Sequence, residues 1–425
     1  MGTDRGRLRV LLATTGTLGD VIPFIGIGMA LNRRGYQVTL IANSAYESQA
    51  RIAGLEFAST GPSDELERAL ADPDLWDWRK CVPASARAFV VPNIAPVYQR
   101  VAELFQPSKT LLVATGPTLG ARIAQEQLGI PMATIFLQPS SLRSVYDTPV
   151  YFGSRSNQPW LFGRFGKRVA YFLADTALFD RHFGPAVNSF RSTLGLPPVR
   201  RVTDQWWMSP QRVIGLWPEW YAPPQPDWPA QTAVTGFLSP DGKPAEDDLD
   251  RALQFGEDSS PPILYTAGTG MVHGHRFFSV ATEACQLMNR RGLLLTRYRE
   301  QVPANLPASV RHFEYLPFRE LFPRCAALVH HGGIGTAAEA LAAGIPQVIM
   351  PMAFDQFDNA ARLARLGISK TIFPLFFRPR RLAKCLKSLL ESDEVSVCCR
   401  RWKAQFAPEA WMQRTCDLIE ELAHS

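Results

Sequence analysis

The 425-residue chain has no stretch of about 20 consecutive apolar residues, so no segment is long enough to cross a bilayer as a helix. Met1 to Arg9 is mostly polar, and the apolar run behind it has the length of a strand. No signal peptide is visible, and a cytoplasmic location is expected. Cysteine is sparse: seven residues, of which only Cys398 and Cys399 are adjacent, with no Cys-x-x-Cys and no Cys/His spacing. This excludes a zinc module and a disulfide framework, and it fits a reducing compartment. The net charge of +6 is modest for the length, and the basic residues are scattered, densest at Arg378 to Lys387 and Arg400 to Lys403. Without a basic stripe interleaved with aromatics, a nucleic-acid partner is not expected. Asp248-x-Asp250 has the spacing of a metal-binding pair, but the acidic run Glu246 to Asp250 reads as a solvated helix start. His273 and His275 stand two apart without further ligands. No metal site is expected.

What is present is an alternation of strands and helices. The apolar content of 46% is that of a globular chain, and the length allows two or three domains. Val10 to Ala13 is a continuous apolar run, the mark of a strand buried on both faces. A Gly/Thr loop follows, Thr14 to Gly19, then a helix expected from Pro23 to Arg34 and a strand at Val38 to Ala42. That order opens a doubly wound α/β domain, in which ligands sit at the carboxyl ends of the strands. Leu111 to Ala114, Met132 to Leu137 and Val213 to Leu216 read as further strands, with a helix at Thr118 to Leu128. Between Tyr151 and Phe190 aromatics are dense, among them Phe152, Trp160, Phe162, Phe165, Tyr171, Phe172, Phe179 and Phe183. They read as amphipathic helices packed on the domain, or as a wall for an apolar ligand that leans on a membrane surface.

Trp217 to Pro229 is crowded with proline and tryptophan, which stops helix and sheet. The expected division is a first domain over residues 1–220, a linker over 221–232, a second domain over 233–405 and a tail over 406–425. The second half repeats the alternation. Ile263 to Ala267 reads as a strand followed by the loop Gly268-Thr269-Gly270, then a helix from Arg276 to Arg290 and a strand at Leu293 to Thr296. Ala326 to Val329 is the next strand. It runs into His330-His331-Gly332-Gly333-Ile334-Gly335-Thr336, and a helix expected from Thr336 ends at Gly344. Gln347 to Met350 is another strand and Asn359 to Leu366 another helix. Leu382 to Leu390 and Trp411 to Leu422 read as terminal helices.

A strand, a glycine turn and a helix N-terminus together make an anion site, because backbone N–H groups point outward and the helix dipole favours negative charge. With a histidine at its mouth the site suits a diphosphate. Thr336-x-x-Glu339 has the spacing of a capping box. Asp20, in the first Gly-rich loop, either enters a cleft or caps the helix behind it.

The His330 to Thr336 stretch resembles the donor-binding signature of GT-B nucleotide-sugar glycosyltransferases, in its bacterial form H-H-G-G-x-G-T, and the likeness continues through Gly344, Pro346, Pro351 and Asp355-Gln356-x-x-Asn359. More closely, the sequence resembles the B-type rhamnosyltransferases of rhamnolipid synthesis. That likeness lies in Gly19-Asp20-Val21-x-Pro23-Phe24, Asp74-Leu75-Trp76-Asp77, Ser209-Pro210-Gln211 and Trp220-x-Ala222-Pro223-Pro224-Gln225-x-Asp227-Trp228-Pro229. The resemblance implies two Rossmann-like α/β domains with parallel sheets facing across a cleft, and a last helix that packs back on the first domain. It implies inverting, metal-independent transfer of a rhamnose- or glucose-type sugar to the hydroxyl of a lipophilic acceptor such as a hydroxy fatty acid. The donor would be dTDP-rhamnose or UDP-glucose, with no further cofactor.

Carried over residue by residue, the resemblance makes Asp20 the base. His331, eight residues before Glu339, would face the diphosphate in preference to His330, together with the backbone of Gly333, Gly335 and Thr336. Gly268 and Thr269 would close the other side of the phosphates. Glu339 would hold the ribose, and Asp355 and Gln356 the sugar hydroxyls. Tyr315 of Tyr315-x-Pro317 would stack on the base, where plant enzymes carry Trp-x-Pro. Plant enzymes also pair their base with an Asp, and none occurs near Thr115 to Pro117. The alternatives are a UDP-glucose-dependent enzyme for sterol, polyketide or phenolic acceptors, a non-catalytic GT-B-like partner protein, and a nucleotide-sugar epimerase.

Overall fold

The computed structural model describes residues 8–151, 163–238, 246–257 and 261–424. Phe152, Trp160 and Phe162 of the aromatic segment lie outside them. Two parallel sheets carry the fold. The first contains β1 (Arg9–Ala13), β2 (Gln37–Ala42), β3 (Glu56–Ser59), β4 (Thr110–Thr115), β5 (Met132–Phe136), β6 (Arg212–Gly215) and β7 (Thr232–Val234), in the order β3-β2-β1-β4-β5-β6-β7. The second contains β8 (Ile263–Thr266), β9 (Gly292–Leu295), β10 (Val310–Phe313), β11 (Ala327–His330), β12 (Gln347–Ile349) and β13 (Ser369–Thr371), in the order β10-β9-β8-β11-β12-β13. The central strands are the unbroken apolar runs of the sequence, and they are buried almost end to end. Helices cover both faces, as parallel sheets require.

Each sheet reverses its strand order once, between β1 and β4 and between β8 and β11. Ligands of open α/β sheets bind at such switch points, outside the carboxyl ends of the strands. The loop after β1 holds Thr14 to Thr17, and the loops after β8 and β11 hold Ala267 to Gly270 and His331 to Gly333. The two domains therefore present their glycine-rich loops to one shared space. They meet closely there: a Cβ added to Gly270 would stand 3.3 Å from Thr17 Cγ2 and 3.4 Å from Trp76 Cη2. His273 Nε2 lies 3.2 Å from the Ala71 carbonyl.

Three sequence expectations are corrected. The first long helix begins at Leu18, five residues before Pro23. Thr17 and Asp20 start it as a capping box, and Pro23 is tolerated early in the helix at the loss of a hydrogen bond to the Gly19 carbonyl. The Pro/Trp-rich stretch is a packed part of the first domain, with Trp217 and Ala222 wholly buried. After it, Thr232–Val234 pairs with Arg212–Gly215 as the edge strand of the first sheet, so that sheet extends beyond the expected linker. Finally, the helix Ile334–Ala343 begins at the glycine turn with Gly333 as N-cap, so Thr336 and Glu339 do not form a capping box.

The last helix, Pro408–Glu420, returns to the first domain. Arg34 Nη1 bonds Asp417 at 2.7 Å, Arg34 Nη2 donates to the Gln413 carbonyl, and Thr415 donates to Thr235 inside the interface. Trp411 lies over Gly236, between Phe237 and Phe406. A Cβ on Gly236 would lie inside the indole. We expect Gly236→Ala to lower stability by about 1–3 kcal/mol, as overpacking does, visible as a lower thermal midpoint. An unchanged midpoint would mean that this helix is not seated as described.

Candidate active site

The turn after β11 is shaped around one imidazole. A Cβ on Gly268 would stand 2.6 Å from His331 Cε1, and one on Gly333 would overlap the same ring. Gly268 also has φ +94°, and Gly332 has φ +99° with Ile349 and the Gln356 carbonyl against it. These are conformations and approaches that only glycine takes without strain. His331 is therefore held between the two loops of the second switch point. Its Nδ1 is buried and bonds to no protein group among the described residues. Burial pushes its pKa down to about 4, so the ring is neutral near pH 7. The first-turn N–H groups of the helix Ile334–Ala343 open at the same place, without intrahelical partners.

His330 is wholly buried one residue earlier. Its Nδ1 accepts from the Gly332 N–H, which leaves Nε2–H to donate to Gln347 Oε1 at 2.9 Å. Burial, with His331 adding to it, holds its pKa down at about 3. Both nitrogens are occupied, so His330 serves the fold and is not a base.

Two carboxylates look into the cleft. Asp20 Oδ2 accepts from the Thr17 N–H at 2.8 Å and from the Thr17 hydroxyl at 3.1 Å. A side chain on Gly16 would overlap that oxygen. Burial raises the Asp20 pKa to about 6, with the Thr17 bonds pulling the other way. Asp355, from the second domain, heads the helix Gln356–Arg365 without capping it. Its Oδ2 accepts from Asn359 Nδ2 at 2.6 Å, and Asn359 is held in turn by the Gly332 carbonyl and by Tyr221. Burial raises the Asp355 pKa to about 7, and the Asp20 charge adds to the rise. The Asp20 charge thus reaches Asp355 across the cleft, while burial is the main cause of both shifts.

One cavity of about 1170 Å³ joins these groups. Asp20, Gly268, Thr269, His331, Gly333, Gly335, Thr336, Glu339, Asp355 and Gln356 all line it. Gln356 Oε1 accepts from Met352 and Ala353, which leaves its amide nitrogen as the group it can offer. Tyr315 does not line the cavity and is 57% exposed. Its pKa is raised by burial and then by Glu320 and Glu339, so it stands near the cavity rim at the Glu339 side. Phe318 and Arg319 take the wall there, a change the Tyr-x-Pro pattern does not signal. Asp248 is spent on Arg251 at 3.0 Å on the exposed face of its helix.

Toward the first domain the walls are apolar and aromatic, including Trp76, Phe89, Leu119, Tyr171 and Phe179. Sequence reasoning leaves Tyr171 and Phe179 between packed amphipathic helices and such a wall, and misses what fixes its far side. The loop before Tyr151 is tied to the second domain: Arg362 bonds both Asp147 and Asp358 at 2.7 Å, Arg365 bonds Asp147, and the Val150 N–H donates to Asp358. Burial alone would raise the Asp147 carboxyl, but the facing guanidiniums outweigh it and hold it below the usual carboxylate range. Only the alternation of charge at Asp358 and Arg362 on one helix hints at this network.

Two facing parallel-sheet domains with an anion turn in the second are the GT-B architecture of nucleotide-sugar glycosyltransferases. Residues 10–147 match the model of the glycosyltransferase family 28 N-terminal domain, and residues 293–414 match that of the erythromycin biosynthesis protein CIII-like C-terminal domain. O-mycaminosyltylonolide 6-deoxyallosyltransferase of Streptomyces fradiae is 30% identical over 98% of both sequences, and vancomycin aglycone glucosyltransferase of Amycolatopsis orientalis is 27% identical over 85% of both. Among solved structures, the glycosyltransferase of kitacinnamycin superposes with a TM-score of 0.72 at 18% identity, over 98% of this protein and 99% of that one. A spinosyn rhamnosyltransferase complexed with thymidine diphosphate gives 0.65 at 18% identity, over 98% and 100%. The protein belongs to this GT-B glycosyltransferase superfamily and is an enzyme of that class.

The raised carboxyls have a thermodynamic consequence. Asp20 and Asp355 hold protons more tightly folded than unfolded, so the folded state binds the excess between about pH 4 and pH 7. Their contribution to stability therefore falls as pH rises through that window. Asp355→Asn keeps the bond from Asn359 and removes the larger rise. Its thermal midpoint should exceed that of the parent at pH 8, with the advantage shrinking toward pH 4. An equal difference at every pH would contradict a strained carboxylate.

Proposed function

We propose that the enzyme transfers a rhamnose- or glucose-type sugar, with inversion and without a metal, from a nucleoside diphosphate to the hydroxyl of a lipophilic acceptor. The observation that carries this reading is the neutral His331, bracketed by Gly268 and Gly333 at the helix N-terminus, in one cavity with Asp20. Asp20 takes the proton of the acceptor hydroxyl. The oxygen then attacks the anomeric carbon as its bond to the diphosphate oxygen breaks. The charge that leaves is received by His331 and by the N–H groups of Gly333, Gly335 and Thr336. A base with a pKa near 6 accepts a proton better than an ordinary carboxylate would. Asp355 and Gln356 hold the sugar hydroxyls, Glu339 the ribose, and Gly268 with Thr269 close over the phosphates.

The first choice of donor is dTDP-rhamnose and of acceptor a hydroxy fatty acid, as in the rhamnosyltransferases of rhamnolipid synthesis. The apolar walls favour a lipophilic acceptor, and the relatives that transfer deoxy sugars or bind thymidine diphosphate favour the donor class. The second reading is glucose from UDP-glucose to a sterol, polyketide or phenolic acceptor, for which the vancomycin aglycone and sterol glucosyltransferases among the relatives speak. Peripheral membrane contact belongs to the first reading. The helix Arg164–Ala174 has no buried residue, and Phe165, Phe172 and Leu173 are exposed on it.

Asp20→Asn retains an oxygen to accept from Thr17 but cannot take a proton. It should lose about 10²–10⁴-fold in kcat, the usual worth of general-base catalysis, with donor affinity unchanged. A near-normal kcat would remove Asp20 from the mechanism. His331→Ala should weaken binding of dTDP or UDP in calorimetry by about 1.5–3 kcal/mol, as for a hydrogen bond to a charged group. Undiminished affinity would place the diphosphate elsewhere.

A further inference from the structure

Arg143 is a buried cation in the apolar end of the cavity. Its side chain is 8% exposed, and it lines the wall beside Tyr171 and Phe179, whose ring centroids lie 5.5 and 5.4 Å from its guanidinium carbon. Among the described residues, the other guanidiniums of the cavity lining are Arg33 and Arg34, at the end of the helix Leu18–Arg33, and Arg319 of the second domain. Among the described residues, Arg143 is anchored through one nitrogen. Nη2 meets Asp175 Oδ1 at 2.5 Å and Asp204 Oδ1 at 3.6 Å. Nε and Nη1 bond to no group among the described residues. Asp175 Oδ2, though buried, is likewise unbonded.

A guanidinium placed only to neutralise Asp175 would use its planar fork, two nitrogens on two oxygens. Here both carboxylates converge on a single nitrogen and fix the plane of the group. Two donor nitrogens are left in a cavity whose lining joins rings and aliphatic chains to the hydroxyl residues Ser140, Ser141, Tyr151 and Thr203. Mostly buried donors held in a fixed plane and open to the cavity suit a planar anion, and the carboxylate is the anion that fits two adjacent N–H groups side by side.

We propose that Arg143 binds a carboxylate carried by the acceptor, so that the enzyme selects lipophilic hydroxy acids over the corresponding neutral hydroxy esters. This rests on the lipophilic-acceptor reading above. The aromatic walls take the apolar chain, Asp20 takes the proton of the reacting hydroxyl, and Arg143 sets which acceptors are taken. Arg143 stays clear of the reacting atoms and acts on specificity.

The test compares a β-hydroxy fatty acid with its methyl ester as acceptors, at saturating nucleotide sugar, for the parent enzyme, Arg143→Gln and the double variant Arg143→Gln/Asp175→Asn. The double variant removes both charges and guards against a fold upset by an unpaired Asp175. Binding of dTDP or UDP by each variant checks that the donor domain is intact. The parent should prefer the acid by about 10–100-fold in kcat/KM, the scale of one hydrogen bond to a charged group. Both variants should lose that preference through a raised KM for the acid, with the ester and the nucleotide handled as before. Equal use of acid and ester by the parent would overturn the inference alone. So would an equal loss on both acceptors in the variants that bind nucleotide normally, since that marks a structural role. Transfer to neither acceptor, with nucleotide binding intact, would overturn the acceptor reading and this inference with it.

Discussion

The contact on which the site depends is a ring with glycine on either side. His331 fills the space that a Cβ on Gly268 or Gly333 would need, so the loops after β8 and β11 close on each other only because both lack a side chain. The consequence reaches in two directions. Beneath the ring, His330 uses both of its nitrogens to lock the turn to Gln347 and Gly332. Above it, the unpaired N–H groups of the helix Ile334–Ala343 open into the cavity that His331 also lines. Donors kept from water and fixed in place stabilise a departing charge without reorganising, which is where the largest share of electrostatic catalysis arises.

The opposite sign comes from both domains, Asp20 from the first and Asp355 from the second. Asp20 is bent back on Thr17 and Asp355 on Asn359, so each carboxylate keeps one oxygen occupied and is raised by desolvation. Holding two such groups across a cleft requires the domains to stay put. The network of Asp147, Asp358, Arg362 and Arg365 does this next to Asp355, and the last helix does it on the far side through Arg34. Breaking one partner of so buried a network would leave a charge unpaired, which costs more than the intact pairs gain. The ties make the relative position of Asp20 and Asp355 a property of the fold.

Much of this is legible in the sequence, and what is not has physical reasons. The central strands show as apolar runs because parallel strands are buried on both faces. Glu56–Ser59, Thr232–Val234 and Ser369–Thr371 do not show, because they are short edge strands whose residues are mostly half-exposed. Val310–Phe313 carries Arg311 and His312 and hides for the same reason. The glycine turn is readable because Gly332 and Gly333 answer steric demands at a fixed spacing. The start of the first helix is not, because Pro23 imitates a first helical residue and conceals the capping box at Thr17 and Asp20. The stacking role of Tyr315 rests on a pattern of two residues, too little to fix which ring meets the cavity. Arg143 and the inter-domain ion pairs depend on residues far apart in sequence, and no local pattern announces them.

The central claim is a single displacement, with Asp20 on the acceptor side and the diphosphate held by the His331 turn on the other. The measurement that tests it most directly is the anomeric configuration of the product, read by NMR from a donor of known anomer. The account predicts inversion, because the acceptor oxygen enters opposite the leaving diphosphate. Retention would contradict it, since that outcome needs a second displacement or attack from the same face, and neither fits a base placed at Asp20.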